Sequence, residues 1–506
     1  MVGAGNGVAE RAEILVASNR GPVSYTFDDP AAHDTARSTG RTDSRTLSAK
    51  RGGGGLVSGL SSIGPDADAV WVCSALGDAD REAARRSMGR LPLSDTAGQS
   101  VRMLDIPVEI FTDAYNGVAN SVLWFVHHML YETPVEPTFD AEFMRQWESY
   151  ETYNRAFAEA LKEEAAEGAA VLVQDYHLSL VPLMLREMRP DLRIGHFSHT
   201  PWAPPDYFAM LPDSVAEDLL RGVLGATRAG FLTRRWAQAF ADCCARVLGA
   251  DITESSGDLV VSHAEGVTRL GVHALGADGE FLRERSRRID VDERIEQLRA
   301  QVGKWGDEHR STVVRVDRTE LSKNIVRGLR AFRHLLVAHP EWRERVVHLA
   351  FAYPSRQDLT VYRAYTQEVA RVAEEINEEF GTLDWTPVLL HVQDDFARSL
   401  AAYRIADVAM VNPIRDGMNL VAKEVPVVSD HGCVVILSRE AGAATEMADD
   451  ALLVNPYDVQ QTGEKLAEAL EVSHAERQAR TQRLARKATA LPPAEWFLEQ
   501  LEALRA

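Results

Sequence analysis

Residues 412–424 read Asn-Pro-Ile-Arg-Asp-Gly-Met-Asn-Leu-Val-Ala-Lys-Glu, and a short apolar run, 406–411, precedes them. An apolar run of this length that is bounded by a proline is typical of a buried parallel strand. Asp416 and Gly417 then predict a tight turn, and the residues from Leu420 to Glu424 predict the start of a helix. The pattern therefore indicates a strand, a turn and a helix, as in α/β folds.

The predicted turn has the chemistry of a phosphate site. At the carboxyl end of a parallel strand it directs backbone N–H groups and the positive end of a helix dipole into a cleft. Asp416 can accept protons from sugar hydroxyls, and Glu424, just over one helical turn past Leu420, can hold a ribose diol. An ordinary strand-to-helix connection with an acidic turn is the alternative that spacing alone leaves open.

Residues 415–424 also resemble the donor-binding signature of glycosyltransferase family 20, the trehalose-6-phosphate synthases. The resemblance covers most of the chain. It implies an α/β protein with two Rossmann-like domains that face across a cleft (GT-B type), and a C-terminal helix that crosses back to the N-terminal domain. It implies a retaining enzyme that moves glucose from a nucleotide-diphosphate glucose to glucose 6-phosphate, giving α,α-trehalose 6-phosphate.

The residues and the resemblance together predict three sets of functional side chains. The predicted catalytic residues are Asp175, His199, Arg318, Lys323 and Asp416. The predicted donor-binding residues are Gly54, Gly55, Arg318, Lys323, Asp394, Asp416, Gly417, Met418, Asn419, Leu420, Val421 and Glu424. The predicted acceptor-binding residues are Arg20, Tyr115, Trp124, Asp175 and Arg356. No metal and no cofactor are expected, because two side-chain cations and backbone amides replace Mg²⁺.

Composition bounds the class of protein. A length of 506 residues predicts two or three domains, and 45% hydrophobic with 26% charged residues is an ordinary globular balance. A net charge of −20 argues against nucleic-acid or membrane partners. Small-molecule substrates are therefore the expected partners, and a homo-oligomer stays open.

The cysteines and the apolar segments bear on the location of the protein. The adjacent Cys243 and Cys244 indicate buried packing rather than a disulfide. No signal sequence and no apolar span of about 20 residues appears. These observations predict a cytoplasmic protein.

The chain is predicted to divide into residues 1–277 (acceptor domain), 278–485 (nucleotide-sugar domain) and 486–506 (a helix that packs back on the first domain). Polar residues 28–50 predict a mobile loop. The glycine run after it lets backbone at Gly54 and Gly55 approach a ligand before a helix begins. This run is not a G-x-G-x-x-G fingerprint, so it does not favour a nicotinamide dinucleotide.

Polar side chains follow two apolar strands of the first domain. Asp175 ends the strand near 171–174, and His199 ends the next strand, which begins at Arg193. Open parallel sheets bind ligands at such strand ends. A buried Asp/His pair satisfied by backbone groups is the alternative. By resemblance, Asp175 positions the acceptor and His199 braces the donor sugar. Ser74 stands where many relatives carry a tryptophan, which puts the identity of the acceptor in question.

Two cationic side chains follow residues 311–316, which are predicted to form the first strand of the second domain. Arg318 offers a planar fork and Lys323 a point charge, and together they can neutralise a diphosphate and the charge on the leaving group. A solvated surface pair is the alternative. Glu320, Leu321 and Asn324 depart from the commoner residues of the family at this motif. Arg356 closes the strand 346–352, and the resemblance assigns it to the phosphate of the acceptor.

The loop after the strand 388–392 reads Gln-Asp-Asp-Phe and, by resemblance, borders the nucleotide base. A carboxylate at Asp394 suits guanine, whose N1–H and exocyclic amine form a paired donor edge, so GDP-glucose is favoured over UDP-glucose. The alternative is that Asp394 and Asp395 merely cap the helix that starts at Phe396.

No second carboxylate pair with nucleophile geometry stands out, so we favour front-face retention, in which the departing phosphate takes the proton of the acceptor hydroxyl. Two other classes of protein stay open. One is a related glycosyltransferase or pseudo-glycosyltransferase with another phosphorylated acceptor. The other is a non-catalytic homologue that binds sugar phosphate and regulates by association.

Overall fold

The structure is a computed structural model that describes residues 11–27, 46–52, 69–264 and 266–505. The described chain forms two compact units. The first comprises the residues up to His127, Tyr131–His273 and the residues from Ala494 onward, and the second comprises His128–Leu130 and Ala274–Pro493. Both units have a mainly parallel sheet with helices between the strands, so the predicted α/β class is confirmed.

The strands of the first unit are β1 (Ala12–Ser18), β2 (Val23–Phe27), β3 (Leu47–Arg51), β4 (Ala69–Ser74), β5 (Ser100–Leu104), β6 (Ala165–Gln174), β7 (Arg193–Ser198), β8 (Arg228–Phe231), β9 (Asp251–Ser255), β10 (Asp258–His263) and β11 (Gly266–Val272). In the described part, nine of them form one sheet in the order β5-β4-β1-β6-β7-β8-β11-β10-β9. β5 to β11 in this order run parallel, and β10 and β9 complete an antiparallel extension.

The helices between these strands are α1 (Asp78–Arg86), α2 (Val108–Thr112), the π-helix Asp113–Leu123, α3 (Trp124–His128), α4 (Ala141–Glu164), α5 (Val181–Met188), α6 (Pro205–Phe208), α7 (Asp213–Leu224) and α8 (Arg234–Leu248). The central strands are buried because helices cover both faces of the sheet. Val171 and Val173 on β6 are fully buried, which explains the unbroken apolar run that predicted this strand.

The second unit begins with α9 (Gly279–Ser286), α10 (Ile289–Val302) and the short hairpin β12 (Lys304–Trp305) and β13 (Glu308–His309). Its main strands are β14 (Ser311–Arg318), β15 (Val346–Tyr353), β16 (Val388–His391), β17 (Val408–Val411), β18 (Val434–Ser438) and β19 (Leu452–Val454). They form a parallel sheet in the order β16-β15-β14-β17-β18-β19. The chain adds β15 and β16 on one side of β14 and then β17, β18 and β19 on the other side. The carboxyl ends of β14, β15 and β17 therefore surround a topological switch point.

The helices of this sheet are α11 (Ile325–Ala338), α12 (Thr360–Phe380), α13 (Phe396–Ile405), α14 (Leu420–Val428), α15 (Ala444–Met447), α16 (Val459–Glu471) and α17 (His474–Ala488). The last helix, α18 (Pro493–Arg505), belongs to the first unit. Its Trp496 is fully buried, and the indole N–H donates to the carbonyl of His273 over 3.1 Å. The residues from Ala494 onward group with the first unit, and α17 packs on α14 within the second unit.

Some predicted elements are wrong in detail. The sequence predicts one loop over residues 28–50, but Leu47–Arg51 pairs with Val23–Phe27 as an antiparallel hairpin, and the rest of the loop lies outside the described residues. The charged pattern of residues 280–304 predicts a single helix, but the structure has the two helices α9 and α10 there. The sequence from Asp113 onward predicts a turn that leads into a helix, but Asp113 is itself helical, since the π-helix continues α2 without a break.

Candidate active site

Lys323 and Asp416 form an ion pair in the second unit. Lys323 lies in the loop after β14, and Asp416 lies in the loop after β17. Because β14 and β17 are parallel neighbours, their carboxyl ends share one edge of the sheet. Lys323 Nζ donates to Asp416 Oδ2 over 2.6 Å, and Asn419 Nδ2 donates to the same oxygen over 3.2 Å. The structure therefore brings three predicted donor residues together.

Both members of this pair are charged. Burial alone would lower the pKa of Lys323, but the negative charges of Asp416 and Asp317 raise it above its ordinary value. For Asp416 burial acts upward, but the charge and hydrogen bond of Lys323 hold the carboxyl pKa below its ordinary value. The pair therefore keeps a cation at the sheet edge, where negative charge on a leaving diphosphate can be stabilised.

The loop 415–419 is held against the loop that follows β18. The N–H of Ala443 donates to the carbonyl of Met418 over 2.8 Å. A Cβ atom at Gly442 would lie only 1.9 Å from the carbonyl oxygen of Gly417, so this close approach requires glycine at position 442. Gly442 lies outside the local motif, so the motif alone does not reveal it.

Helix α14 begins at Leu420, where the sequence predicts a helix start. Asn419 caps it, since its Oδ1 accepts from the N–H of Ala422 over 3.3 Å. Met418 is buried, and Leu420 and Val421 are half-buried. The other backbone N–H groups in the first turn are the donors that a phosphate would use.

Glu424 is half-buried in the second turn of α14. Burial raises the pKa of its carboxyl to about 7. Near neutral pH the group is thus divided between acid and carboxylate. As a carboxylate it can accept two hydrogen bonds from a diol, which is the role predicted for it.

A buried arginine behind Lys323 was not predicted. The Arg315 side chain is fully buried, and its Nη2 donates to Asp317 Oδ2 over 2.7 Å and to the carbonyl of Lys323 over 3.0 Å. Its Nη1 also lies 3.3 Å from Asn412 Oδ1 on the loop after β17. Arg315 therefore fixes the backbone of Lys323 to both strand ends. The signal in the sequence is a lone arginine inside an apolar strand.

Arg318 and Arg356 lie at the carboxyl ends of the neighbouring strands β14 and β15. Arg318 pairs in register with Tyr353, and its side chain is 59% exposed. Arg356 has a backbone φ of +47°, and its Nη1 donates to the hydroxyl of Tyr362 over 2.7 Å. The two arginines predicted to bind phosphates thus belong to one edge of one sheet.

Asp394 and Asp395 have different environments. Asp395 caps α13 by accepting from the N–H of Arg398 over 2.9 Å, and it pairs with Arg294 over 2.8 Å. Asp394 is exposed, and within the described part of the chain its carboxylate has no hydrogen-bond or ion-pair partner. The capping alternative therefore holds for Asp395 alone.

Asp175 and His199 meet in the first unit, at the ends of the neighbouring strands β6 and β7. The N–H of His199 donates to Asp175 Oδ1 over 3.1 Å. His199 Nε2 donates to Oε1 of Gln174 over 2.9 Å, and burial lowers the pKa of the ring to about 4. The ring is therefore neutral at pH 7, with Nδ1 as an acceptor. Asp175 has a backbone φ of +74°, which is rare outside glycine.

The predicted acceptor aromatics lie beside this pair. The Tyr115 ring stacks on His177 with centroids 5.6 Å apart, and His177 Nδ1 lies 3.9 Å from Asp175 Oδ2. Trp124 is buried against Tyr176, with ring centroids 5.9 Å apart.

Arg20 is exposed just after β1, the neighbour of β6, and its carbonyl accepts from the hydroxyl of Ser18 over 2.7 Å. Gly54 and Gly55 lie outside the described residues.

The described residues also bear on metals, membranes and thiols. Among them no group of three or more His, Cys, Asp or Glu side chains is arranged to hold a metal ion. None of the described helices combines the length and the apolar character needed to cross a bilayer. Cys243 and Cys244 are buried free thiols, as predicted.

The sequence model of glycosyltransferase family 20 matches residues 13–506. The chain belongs to glycosyltransferase family 20. It is 31% identical to an Aspergillus fumigatus alpha,alpha-trehalose-phosphate synthase (UDP-forming), over 99% of this chain and 92% of that protein. It is 34% identical to a Mycobacterium avium trehalose-6-phosphate synthase, over 80% and 81% of the two chains. The predicted family membership is therefore confirmed.

Two solved structures match the fold over nearly the whole chain. An E. coli trehalose-6-phosphate protein bound with UDP-2-fluoro glucose has a TM-score of 0.81 at 25% identity, covering 97% of this chain and 98% of that one. A Burkholderia xenovorans alpha,alpha-trehalose-phosphate synthase (UDP-forming) in complex with glucose-6-phosphate has a TM-score of 0.80 at 26% identity, covering 98% and 100%. This member of the family therefore shares their fold over nearly its whole length.

Proposed function

We propose that the protein is a trehalose-6-phosphate synthase that transfers glucose from a nucleotide-diphosphate glucose to glucose 6-phosphate. The observation that carries the proposal is the Lys323–Asp416 pair at the switch point of the second sheet. It supplies a preorganised cation for the leaving diphosphate and a carboxylate for the sugar. The relatives named above carry this activity in their names.

The proposed reaction retains the configuration of the donor. The departing phosphate takes the proton of the acceptor hydroxyl on the same face of the sugar. Arg318 and Lys323 stabilise the growing negative charge. Neutral His199 accepts a hydrogen bond from a donor-sugar hydroxyl at Nδ1. Asp175 orients the acceptor, and its strained backbone is held by the hydrogen bond from the His199 N–H.

The residues proposed for the acceptor on the family resemblance are Arg20, Tyr115, Trp124 and Asp175 in the first unit and Arg356 in the second. Two guanidinium groups suit a phosphate monoester, because each presents paired N–H donors. Tyr115 supplies a hydroxyl and Trp124 an apolar wall. The chemistry of these side-chain types suits glucose 6-phosphate. Ser74, which is buried, stands where many relatives carry a tryptophan.

The proposed donor site joins Lys323 and Arg318 to the loop 415–419 and the start of α14. For the base we propose guanine over uracil, because the exposed carboxylate of Asp394 is available for a paired donor edge. Glu424 holds the ribose diol. We further place the reaction in the cytoplasm, since the four cysteines are buried free thiols, the state that a reducing compartment maintains.

The decisive experiment incubates purified protein with glucose 6-phosphate and, separately, GDP-glucose, UDP-glucose and ADP-glucose. Trehalose 6-phosphate is identified by mass spectrometry, and the anomeric couplings in its NMR spectrum establish retention at the transferred glucose. A Lys323→Ala preparation controls for contaminating enzymes. Absence of product with all three donors, or a product with an inverted linkage, would refute the proposal. If product forms only with another phosphorylated acceptor, the proposed use of a nucleotide-diphosphate glucose holds and the proposed acceptor is wrong.

A further inference from the structure

Glu320 has no part in the roles assigned so far, yet its environment is unusual. The side chain is completely buried between the loop after β14 and the loop after β15. Its Oε1 accepts from the Ser355 hydroxyl over 3.0 Å and lies 3.3 Å from Nη2 of Arg318. A buried carboxylate is costly unless cations and hydrogen bonds compensate for its lost hydration.

The compensating charges come from both proposed phosphate sites. Burial alone would raise the pKa of Glu320, but the positive charges of Arg318, Arg356 and Lys323 lower it below its ordinary value. The side chain is therefore a carboxylate at neutral pH. One buried anion thus contacts the arginine proposed for the donor diphosphate directly and, through the Ser355 hydroxyl, contacts the residue that precedes the arginine proposed for the acceptor phosphate.

The geometry also links the two loops mechanically. Ser355 directly precedes Arg356. The backbone of Arg356 is in the left-handed region, and its guanidinium donates a hydrogen bond to the Tyr362 hydroxyl. Arg318 is largely exposed, so the contact with Glu320 is what restricts the directions of its long side chain. Movement of either loop therefore changes the contact between Glu320 and Ser355, which joins the two loops.

We propose that Glu320 is a positioning residue that couples Arg318 to Arg356, so that an anion bound at one phosphate site orders the arginine at the other. The inference rests on the proposed function, because that function assigns the two arginines to their substrates. Without the charge of Glu320, both guanidinium groups keep their positive charge, but Arg318 loses its ion pair and both arginines lose the attraction of the buried carboxylate. Phosphate affinity is then retained while orientation for transfer is lost.

The test uses Glu320→Gln, which keeps the shape and an acceptor for Ser355, and Glu320→Asp, which restores the charge on a shorter stem. Glu374→Gln, an exposed residue on α12, is the matched control for charge. Calorimetry measures the affinity for GDP and UDP with and without glucose 6-phosphate, and steady-state assays give kcat and KM.

In the wild type, glucose 6-phosphate should tighten nucleotide binding. In Glu320→Gln this tightening should vanish and kcat should fall about tenfold or more, while nucleotide affinity alone stays equal or increases. Glu320→Asp should recover part of both effects, and Glu374→Gln should match the wild type.

Retention of both kcat and tightening in Glu320→Gln would overturn the proposal, as would absence of tightening in the wild type. If Glu320→Gln fails to fold, Ser355→Ala decides, since it keeps the charge and removes the link between the loops; unchanged tightening in that variant overturns the proposal. Failure of the proposed function is distinguishable, because wild-type protein would then make no trehalose 6-phosphate while the binding measurements still report on Glu320.

Discussion

The Lys323 ammonium and the Asp416 carboxylate form an ion pair across two strand ends, with 2.6 Å between Nζ and Oδ2. Each group is held from behind, Lys323 through the carbonyl bonded by Arg315 and Asp416 through Asn419. A diphosphate therefore meets a cation that is already desolvated and fixed. Electrostatic stabilisation of this kind requires little reorganisation during the reaction.

Removing the positive charge of Lys323 or of Arg318 should strongly reduce turnover. Lys323→Ala and, separately, Arg318→Ala are each expected to lower kcat by on the order of a hundredfold or more, because the leaving diphosphate loses a positive charge. Turnover is measured at saturating donor and acceptor, and thermal unfolding checks the fold. Lys465→Ala, at a partly exposed lysine of α16 that pairs with Glu468, is the matched control. Near-normal turnover in both active-site variants would contradict the assignment.

Glu424 should make donor use depend on pH. Its carboxyl pKa of about 7 means that the carboxylate needed for the ribose diol is formed as the pH rises through 7. The kcat/KM for the donor should therefore increase between about pH 6 and pH 8 and level off above. In Glu424→Gln this increase of kcat/KM with pH should be absent, and the KM for the donor should be higher. If the variant shows the same increase, the titration belongs to another group.

The same residue should lower stability at high pH. The folded pKa of about 7 lies above the ordinary value of 4.5, so the native state binds the proton more tightly than the unfolded chain. The stabilisation is fully present below pH 4.5 and is lost as the pH rises to about 7. Glu424→Gln should therefore raise the Tm relative to wild type at pH 8 and leave it nearly unchanged at pH 4.5. Equal Tm differences at both pH values would refute this.

Asp394 should set the preference for the nucleotide base. Wild-type protein is expected to use GDP-glucose with a higher kcat/KM than UDP-glucose, and Asp394→Ala should reduce that ratio by about tenfold or more, because the guanine donor edge loses its acceptor. Asp384→Ala, another exposed aspartate of the second unit, is the control. A strong preference for UDP-glucose, or a preference for GDP-glucose that ignores the substitution, would exclude this role.

Gly442 should be required for the position of the donor loop. In Gly442→Ala the added methyl group would lie 1.9 Å from the carbonyl of Gly417, so the loop 415–419 must shift. We expect a lower kcat and weaker nucleotide binding, with the Tm also reduced, since backbone offers no room to yield. Gly77→Ala, where an added Cβ meets no atom within 4 Å, is the matched control. Wild-type nucleotide affinity in Gly442→Ala would show that the loop is not constrained as described.

Local patterns predict the strand ends well, for a physical reason. A strand buried on both faces must be apolar, so β6, β14 and β17 stand out as apolar runs, and the polar residues after them mark the sheet edge. The sequence pattern alone therefore locates Asp175, Lys323 and Asp416 at strand ends. It does not reveal that Lys323 and Asp416 pair with each other, because that contact joins residues distant in the chain.

The missed features are those whose cause is tertiary. Gly442 matters only because another loop passes within contact distance, and a glycine in its own sequence context indicates no more than a turn. Gln174 gains its role from His199 on the next strand. The antiparallel strands β9 and β10 carry no local signal of their pairing, since strand partners are not encoded locally.

The aromatic contact of the last helix has a consequence for biosynthesis. Trp496 packs on Phe197 edge to face, with ring centroids 4.8 Å apart, and lies 5.5 Å from the ring of His199. The residues of the second unit leave the ribosome before Trp496 does. The first unit thus cannot complete its interior in the usual N-to-C order of domain folding, and His199 remains incompletely packed until translation of nearly all the described chain is finished. A nascent chain stalled before residue 496 would carry every proposed catalytic residue without the finished enclosure of this histidine.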